Sequence, residues 1–140
     1  MILNGIRRGD VYYVKTEYYV NGKKVTKYRP AVVISNDFNN VFSNYITIVY
    51  LTSKTKKPMP THVNIMCKKP SVAMCEHIAT ISKEQIGYFI KTCERREIKQ
   101  IEQALCCFLH IDTFEFTIHN IGFWIKRMFK KLRDEFKFED

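Results

Sequence analysis

The chain has 140 residues, of which 46% are hydrophobic, and this composition is enough for one domain with a real core and excludes a disordered chain. It has no run of 18 or more apolar residues, and the start MILNGIRRGD places only a short apolar stretch before its charges. The sequence therefore predicts neither a membrane-spanning helix nor a signal peptide, and it favours a cytoplasmic protein with no membrane partner.

The formal net charge of +9 is unevenly distributed along the chain. Residues 1–70 carry 12 Lys or Arg and 3 Asp or Glu, whereas positive and negative charges balance in residues 71–140. A basic half with many tyrosines is suited to bind a polyanion such as a nucleic acid, whose phosphates would contact the cations and whose bases would stack on the tyrosine rings. The alternative is a solvated surface with tyrosines in strands, and charge alone does not decide between the two.

The cysteines and histidines show no ligand pattern. The five cysteines are odd in number and form no CxxC pair, which favours free thiols over a disulfide framework. The four histidines are spread without metal-ligand spacing, so we expect neither a metal nor another cofactor.

The first half of the chain has the composition of short strands. Residues 10–20 form the first candidate strand, and Asn21-Gly22 is a hairpin turn signal, after which we expect a basic loop. AVVIS follows Pro30 as a buried strand, NDFNN is expected to be a loop, and residues 44–52 form the next strand.

Two more strands and a helix follow a basic, proline-containing loop at residues 53–60. We expect strands at residues 61–66 and 71–81, and a capping box from Ser82 to Gln85 that ends the β-rich part. The next segment, residues 94–110, has helical periodicity, and its apolar face should pack on the sheet. The members of that face are Ile98, Ile101, Leu105, Phe108 and Leu109. This order of elements predicts a mainly β fold, a small barrel or strongly curved sheet with a helical cover.

Residues 112–140 are predicted to form a separate, basic amphipathic helical extension. Its apolar stripe consists of Ile121, Ile125, Met128, Leu132 and Phe136. Such a stripe could bind a membrane surface or a partner groove, but docking on the protein's own domain or on a dimer mate is commoner.

Five sequence segments, in this order and with compatible spacing, resemble the MazF/PemK family of toxin endoribonucleases. They are RRGDVYYV, YRPAVVISND, IVYLTS, PTHVNI and MCEHIATISKEQIG, and the resemblance as a whole covers about residues 6–111. The resemblance implies a compact SH3-like barrel in residues 1–111 and a homodimer. It also implies metal-independent, sequence-specific cleavage of single-stranded RNA and neutralisation by a cognate antitoxin that occupies the RNA site.

The same resemblance implies the site residues. Arg29 matches the catalytic arginine of the family, Thr52 matches the threonine or serine beside it, and Glu76 stands at an acidic position that acts as the base in some members. Arg29 would stabilise the anionic transition state, and Thr52 would hydrogen-bond the scissile phosphate. The predicted RNA-contacting residues are Lys23, Lys24, Lys27, Ser35, Asn36, Ser53, Lys54, Lys56, Lys57 and His77.

His77 stands where the family usually has glutamine, and an imidazole can shuttle a proton near cellular pH. Because alternate residues of a strand point to opposite faces, Glu76 and His77 are not expected to act together, and Glu76 is the one predicted for the site.

The chain also departs from the family pattern. Lys24, Val25 and Lys27 replace the usual residues before the Arg-Pro motif, and Met74 and Ala79 stand where some relatives have arginine. Two alternative functions therefore stay open. One is a non-catalytic toxin similar to CcdB that inhibits DNA gyrase, and the other is a relative that binds RNA or DNA without cutting it.

Overall fold

The computed structural model describes residues 5–112 and 122–136. Within them, six strands form one antiparallel sheet in the spatial order β4-β5-β3-β2-β1-β6. The strands are β1 (Asp10–Val20), β2 (Lys23–Val33), β3 (Tyr45–Thr52), β4 (His62–Met66), β5 (Pro70–Ser82) and β6 (Ile86–Thr92). The helices are α1 (Asp37–Phe42), α2 (Arg95–Leu109) and α3 (Gly122–Phe136), and a short 3-10 helix (Lys83–Gln85) precedes β6. The predicted mainly β class with helices is confirmed.

β1 and β2 form a long hairpin whose turn is Asn21-Gly22. Both turn residues have positive φ angles, 51° and 78°, which a tight hairpin turn requires and which Asn and Gly adopt most easily. Strand pairing begins at once with Val20 opposite Lys23. The prediction of a basic loop after the turn is therefore wrong, because the turn uses only two residues and residues 23–27 belong to β2.

Two other boundaries also differ from the prediction. NDFNN does not form a loop: it lies in α1, and the Asn36 side chain caps this helix by accepting a hydrogen bond from the Asn39 N–H at 2.8 Å. The capping box of Ser82 and Gln85 is confirmed, but it does not end the β-rich part. β6 follows it directly and pairs with β1, although its sequence IGYFIKT has a glycine and no clear alternation.

Apolar side chains are buried on both faces of the central strands. One cluster includes Val32, Val49 and Leu51 and packs against Ile101 of α2. The cluster on the other face is formed by buried residues of β1, β2, β3 and β5, which are Tyr12, Val14, Ala31, Val33, Ile46, Ile48 and Ile81. Burial on both faces explains why these strands are apolar at consecutive positions instead of alternating.

The sheet curls until its two edge strands approach each other. The Lys91 ammonium on β6 donates hydrogen bonds to the Met66 carbonyl on β4 at 2.9 Å and to the Glu97 carboxylate at 3.0 Å. The Met66 N–H donates to the same carboxylate at 3.3 Å. Glu97 lies on α2 and is only 3% exposed, so α2 covers the join between the two edges. This closure agrees with the predicted barrel or strongly curved sheet.

Both predicted helices at the C-terminal side are confirmed as helices. α2 ends where His110 adopts a left-handed conformation, and Ile101 on its apolar face is buried as predicted. Phe108 and Leu109, at the C-terminal end of α2, are exposed, so the prediction that they belong to the face packed on the sheet is wrong.

α3 leaves Met128 and Leu132 partly exposed. The other members of the predicted stripe, Ile121, Ile125 and Phe136, lie outside the described side chains. None of the helices in residues 5–112 and 122–136 is long and apolar enough to cross a membrane.

Candidate active site

A groove of about 810 Å³ opens at one end of the sheet, and three of the residues predicted for function line it: Arg29, Thr52 and His77. Its walls come from the β1–β2 hairpin, the β3–β4 loop (residues 53–61) and the β4–β5 turn (residues 67–69). Four other predicted RNA-contacting residues line the same groove, namely Lys27, Ser53, Lys54 and Lys56. The fold therefore brings together Arg29, Thr52 and His77, which are 23 or more positions apart in the sequence.

Arg29 and Thr52 come from the adjacent strands β2 and β3. The pairing of these strands ends with Ala31 opposite Tyr50, each two residues from Arg29 and Thr52 respectively, and both side chains line the groove. The Arg29 guanidinium lies 4.4 Å from the centroid of the Tyr50 ring, in cation–π contact. Among the described residues, Arg29 forms no ion pair. The ring therefore orients a cation that is left available for an anion.

The Thr52 hydroxyl is oriented by the loop that follows β3. Its oxygen accepts a hydrogen bond from the Lys54 N–H at 3.2 Å. The hydroxyl proton is therefore available for donation to a group in the groove.

His77 reaches the groove because β5 bulges. Val49 of β3 pairs with Ile78, and Leu51 pairs with Ala73, so four residues of β5, Met74 to His77, face the single residue Tyr50. An irregularity of this kind bends a strand and redirects its side chains. The bulge carries His77 to the groove that contains Arg29 and Thr52.

Glu76 points away from the groove and binds β4. Its carboxylate accepts hydrogen bonds from His62 Nε2 at 2.8 Å and from Thr61 Oγ1 at 3.1 Å. Burial acts to raise the pKa of Glu76, but hydrogen bonds from its own backbone, His62 and Thr61 outweigh this effect and lower it. Glu76 and His77 thus have different surroundings, and it is His77, not Glu76, that lines the groove.

The groove is strongly cationic. Six of its described lining residues are Lys or Arg: Lys27, Arg29, Lys54, Lys56, Lys68 and Lys69. Glu17 supplies the one carboxylate among the described lining residues, and Lys15 and Lys24 bind it at 3.0 and 2.9 Å. Hydrogen bonds from Lys24 and Lys15 lower the pKa of Glu17. The field in the groove therefore favours an anionic ligand.

Aromatic rings accompany these cations. Tyr13, Tyr18 and Tyr28 line the groove, and the Lys68 ammonium lies 5.9 Å from the centroid of the Tyr13 ring. Reasoning from the motifs missed Lys68 and Lys69, although the pair KK before Pro70 was a visible signal of a basic turn. Rings beside cations can accept the bases of a single strand while the lysines hold its phosphates.

The structure places five of the predicted RNA-contacting residues outside the groove lining. Lys23 and Lys24 lie nearer the hairpin turn, and Lys57 lines a separate cavity beside α3. Asn36 caps α1, and the Ser35 hydroxyl accepts a hydrogen bond from the Thr47 N–H at 3.1 Å and bonds the Asn40 side chain. Ser35 and Asn36 thus have local roles in the backbone turn that follows β2.

Cys67 is a further groove residue with nucleophilic potential. Burial raises the pKa of its thiol, which disfavours the thiolate and makes Cys67 a weak candidate for a base. Among the described residues, no cluster of three or more His, Cys, Asp or Glu could hold a metal ion.

Comparisons with known proteins agree on one family. Residues 7–109 match the family described as PemK-like, MazF-like toxin of type II toxin-antitoxin system. The chain is 30% identical over 114 residues to the endoribonuclease MazF of Staphylococcus saprophyticus, an alignment that covers 77% of this chain and 94% of the relative. It is 31% identical over 121 residues to the endoribonuclease MazF9 of Mycobacterium tuberculosis, with 76% of this chain and 97% of the relative covered.

Solved structures share the fold. A mycobacterial endoribonuclease superposes with a TM-score of 0.67 at 21% identity, over 81% of this chain and 99% of that one. A mycobacterial endoribonuclease in complex with its cognate antitoxin gives a TM-score of 0.64 at 22% identity, over 76% and 97% of the two chains. The matched segment contains the groove and ends before α3. The chain therefore belongs to the PemK-like, MazF-like toxin family of type II toxin–antitoxin systems.

Proposed function

We propose that the protein is an endoribonuclease toxin that cleaves single-stranded RNA in the groove around Arg29, Thr52 and His77, by attack of a ribose 2′-hydroxyl and without a metal ion. The observation that carries the proposal is the meeting of an oriented guanidinium, a hydroxyl donor and an imidazole in one cationic groove. The names of the two curated relatives support the nuclease over the CcdB-like alternative.

The reaction needs three things from the protein. The 2′-hydroxyl must lose its proton as its oxygen forms a bond to phosphorus, the extra negative charge on the phosphoryl oxygens must be stabilised, and the leaving 5′-oxygen must gain a proton as its bond to phosphorus breaks. The Arg29 fork of N–H donors meets the phosphoryl oxygens, and the Thr52 hydroxyl donates to one of them. The products are a 2′,3′-cyclic phosphate and a 5′-hydroxyl.

His77 is the groove residue suited to proton transfer, since an imidazole both accepts and donates a proton near neutral pH. Glu76 suits this role poorly, because the hydrogen bonds from His62 and Thr61 occupy its carboxylate and its lowered pKa makes it a weak base. We therefore assign His77 to proton transfer and withdraw Glu76 as the base.

A cognate antitoxin is the proposed protein partner, because similar structures include an endoribonuclease bound to its cognate antitoxin and MazE–MazF from Deinococcus radiodurans. A cationic groove would suit an acidic antitoxin segment as well as RNA. Homodimer formation and a cytoplasmic location belong to the same proposal and rest on the family relationship.

The nucleophile can be tested with a substituted substrate. A single-stranded RNA with 2′-deoxyribose at the cut position should bind but resist cleavage, because the attacking hydroxyl is absent. The all-ribose RNA should be cut equally well in excess chelator and should leave 5′-hydroxyl ends, as mapped by end labelling. Cleavage of the deoxy substrate, or 5′-phosphate ends, would show that water or a metal-bound hydroxide is the nucleophile.

The lysines at the groove can be tested through the salt dependence of RNA affinity. Replacing Lys54 and Lys56, or Lys68 and Lys69, by alanine should lower the salt slope by roughly 0.7 for each phosphate contact that is lost. The loss of affinity should be similar for different RNA sequences, because phosphate contacts do not read bases. Lys83 and Lys99 together form a matched control pair, since both lie outside the groove lining. An equal effect of the control pair would move the RNA path away from the groove.

A further inference from the structure

His62 occupies the junction between two parts of the proposed site. Its ring is largely buried, with 10% of the side chain exposed, and each ring nitrogen has a polar partner. Nδ1 lies 3.0 Å from the Lys57 carbonyl, and Nε2 lies 2.8 Å from the Glu76 carboxylate. The first partner belongs to the β3–β4 loop, and the second belongs to the bulge of β5.

On the bulge side, the contact continues directly to the groove. Glu76 is the immediate neighbour of His77, and its other carboxylate oxygen accepts from Thr61 at 3.1 Å. The Cys75 N–H donates to the Thr61 carbonyl at 2.9 Å, so Thr61 at the end of the β3–β4 loop and His62 at the start of β4 hold the bulge at three points. With the backbone at Glu76 fixed in this way, the freedom of His77 to move out of the groove is reduced.

On the loop side, the contact holds the segment that carries groove cations. Because the Lys57 carbonyl and the Glu76 carboxylate can only accept, both ring bonds form when each ring nitrogen of His62 carries a proton. The backbone N–H of His62 donates to the Met59 carbonyl at 3.0 Å. Lys54 and Lys56 precede Lys57 by three residues or fewer and line the groove. Without the ring bond to Lys57, the loop would be held only near its ends, by β3 on one side and by the Met59 and Thr61 contacts on the other, and its lysines would lose more freedom when they bind a phosphate.

We propose that His62 is a positioning residue that ties the bulge bearing His77 to the loop bearing Lys54 and Lys56, through its two separate ring nitrogens. The expected effects on kcat and on RNA affinity rest on the proposed function, whereas the effect of His62 on the local structure does not. The Glu76 bond serves the chemical step, and the Lys57 bond serves RNA affinity.

Two conservative variants separate the two bonds. His62→Asn keeps a donor near the position of Nδ1 and loses the bond to Glu76, whereas His62→Gln keeps a donor near the position of Nε2 and loses the bond to Lys57. We expect His62→Asn to lower kcat by about tenfold or more, because misplacement of a reacting group is costly. We expect RNA affinity to change by no more than about twofold, because the bond to Lys57 is kept and the loss of one net hydrogen bond would cost about fivefold.

His62→Gln should show the opposite division. RNA affinity should fall about fivefold, the factor expected from one net hydrogen bond, while kcat at saturating RNA changes little. Both variants lose one hydrogen bond of the same ring, so a role in stability alone predicts equal effects of the two on kcat and on affinity. Equal effects, or no effect of either variant, would overturn the proposal.

Amide hydrogen exchange gives a readout that does not depend on RNA. His62→Asn should accelerate exchange in residues 74–77, and His62→Gln should accelerate it in residues 53–61. If the wild-type protein cleaves no RNA but the exchange pattern appears, the proposed function fails and the positioning role stands. If cleavage occurs and the exchange pattern is absent, the positioning role fails alone.

Glu76→Gln distinguishes positioning from direct catalysis. The amide oxygen of the substituted side chain can still accept a hydrogen bond from either His62 or Thr61. We therefore expect kcat to fall no further than in His62→Asn. Loss of cleavage by a factor of about 10³ in Glu76→Gln, together with normal kcat in His62→Asn, would make Glu76 the base and overturn the proposal.

Discussion

Replacement of Arg29 by alanine should lower kcat for RNA cleavage by a factor of 10²–10³, or about 3–4 kcal/mol, by analogy with the loss of an oxyanion donor. The physical reason is that the side chain is half-buried, stacked on Tyr50 and free of an ion pair among the described residues, so in the proposed reaction its charge is available to stabilise the scissile phosphate. Single-turnover cleavage at saturating RNA measures this effect. Full activity of Arg29→Ala would overturn the residue assignment.

Two further variants refine this prediction. Arg29→Lys should restore little activity, because a point charge cannot reproduce the planar fork of donors. Lys99→Ala, on α2 and outside the groove lining, is the control and should keep kcat close to that of the wild type.

Replacement of Glu97 by alanine should lower the free energy of unfolding by about 3 kcal/mol, the lower end of the range for breaking a buried ion pair. Glu97 accepts from the Lys91 ammonium and from the Glu94 and Met66 N–H groups, and all three would lose this acceptor. Urea unfolding followed by fluorescence measures the loss.

Glu102→Ala on the same helix is the control for that experiment. Glu102 pairs with Arg8 at 3.1 Å, and because both side chains are partly exposed the loss should stay below about 1 kcal/mol. An equal loss in Glu97→Ala and Glu102→Ala would show that closure of the sheet does not depend on Glu97.

The stabilisation by Glu97 should also depend on pH. Burial acts to raise the pKa of Glu97, but hydrogen bonds from Glu94, Lys91 and Met66 outweigh it and hold the pKa below its ordinary value. The contribution is therefore complete above the pKa of the unfolded chain and is lost as the pH falls through the folded pKa. The difference between wild type and Glu97→Ala should be largest at neutral pH and should shrink in acid. A difference that is constant between pH 7 and pH 3 would contradict this origin.

Local sequence signals predicted most of the elements but missed parts of the fold that depend on distant contacts. Three elements are determined by residues that are close together in the sequence, so the sequence alone predicted them. They are the Asn21-Gly22 turn, the Ser82–Gln85 capping box and the helix that begins at Arg95. β6 has a weak local pattern, and it becomes a strand because β1 offers it a free edge. Residues 23–27 were predicted to form a basic loop because their charged side chains give no indication that this segment pairs with β1.

For the candidate site, the resemblance of five sequence motifs to the family selected Arg29 and Thr52, and both side chains line the groove. The proposed choice of His77 over Glu76 rests on tertiary structure. Both residues lie in a bulge of β5 between Ala73 and Ile78, where the pairing with β3 is interrupted and the pairing with β4 ends at Met74. The position of Lys68 and Lys69 in the groove and the two contacts of the His62 ring likewise depend on the curling of the sheet, which brings the β3–β4 loop, the bulge and the β4–β5 turn together. Such contacts depend on three-dimensional distance, which a local pattern of residue types does not encode.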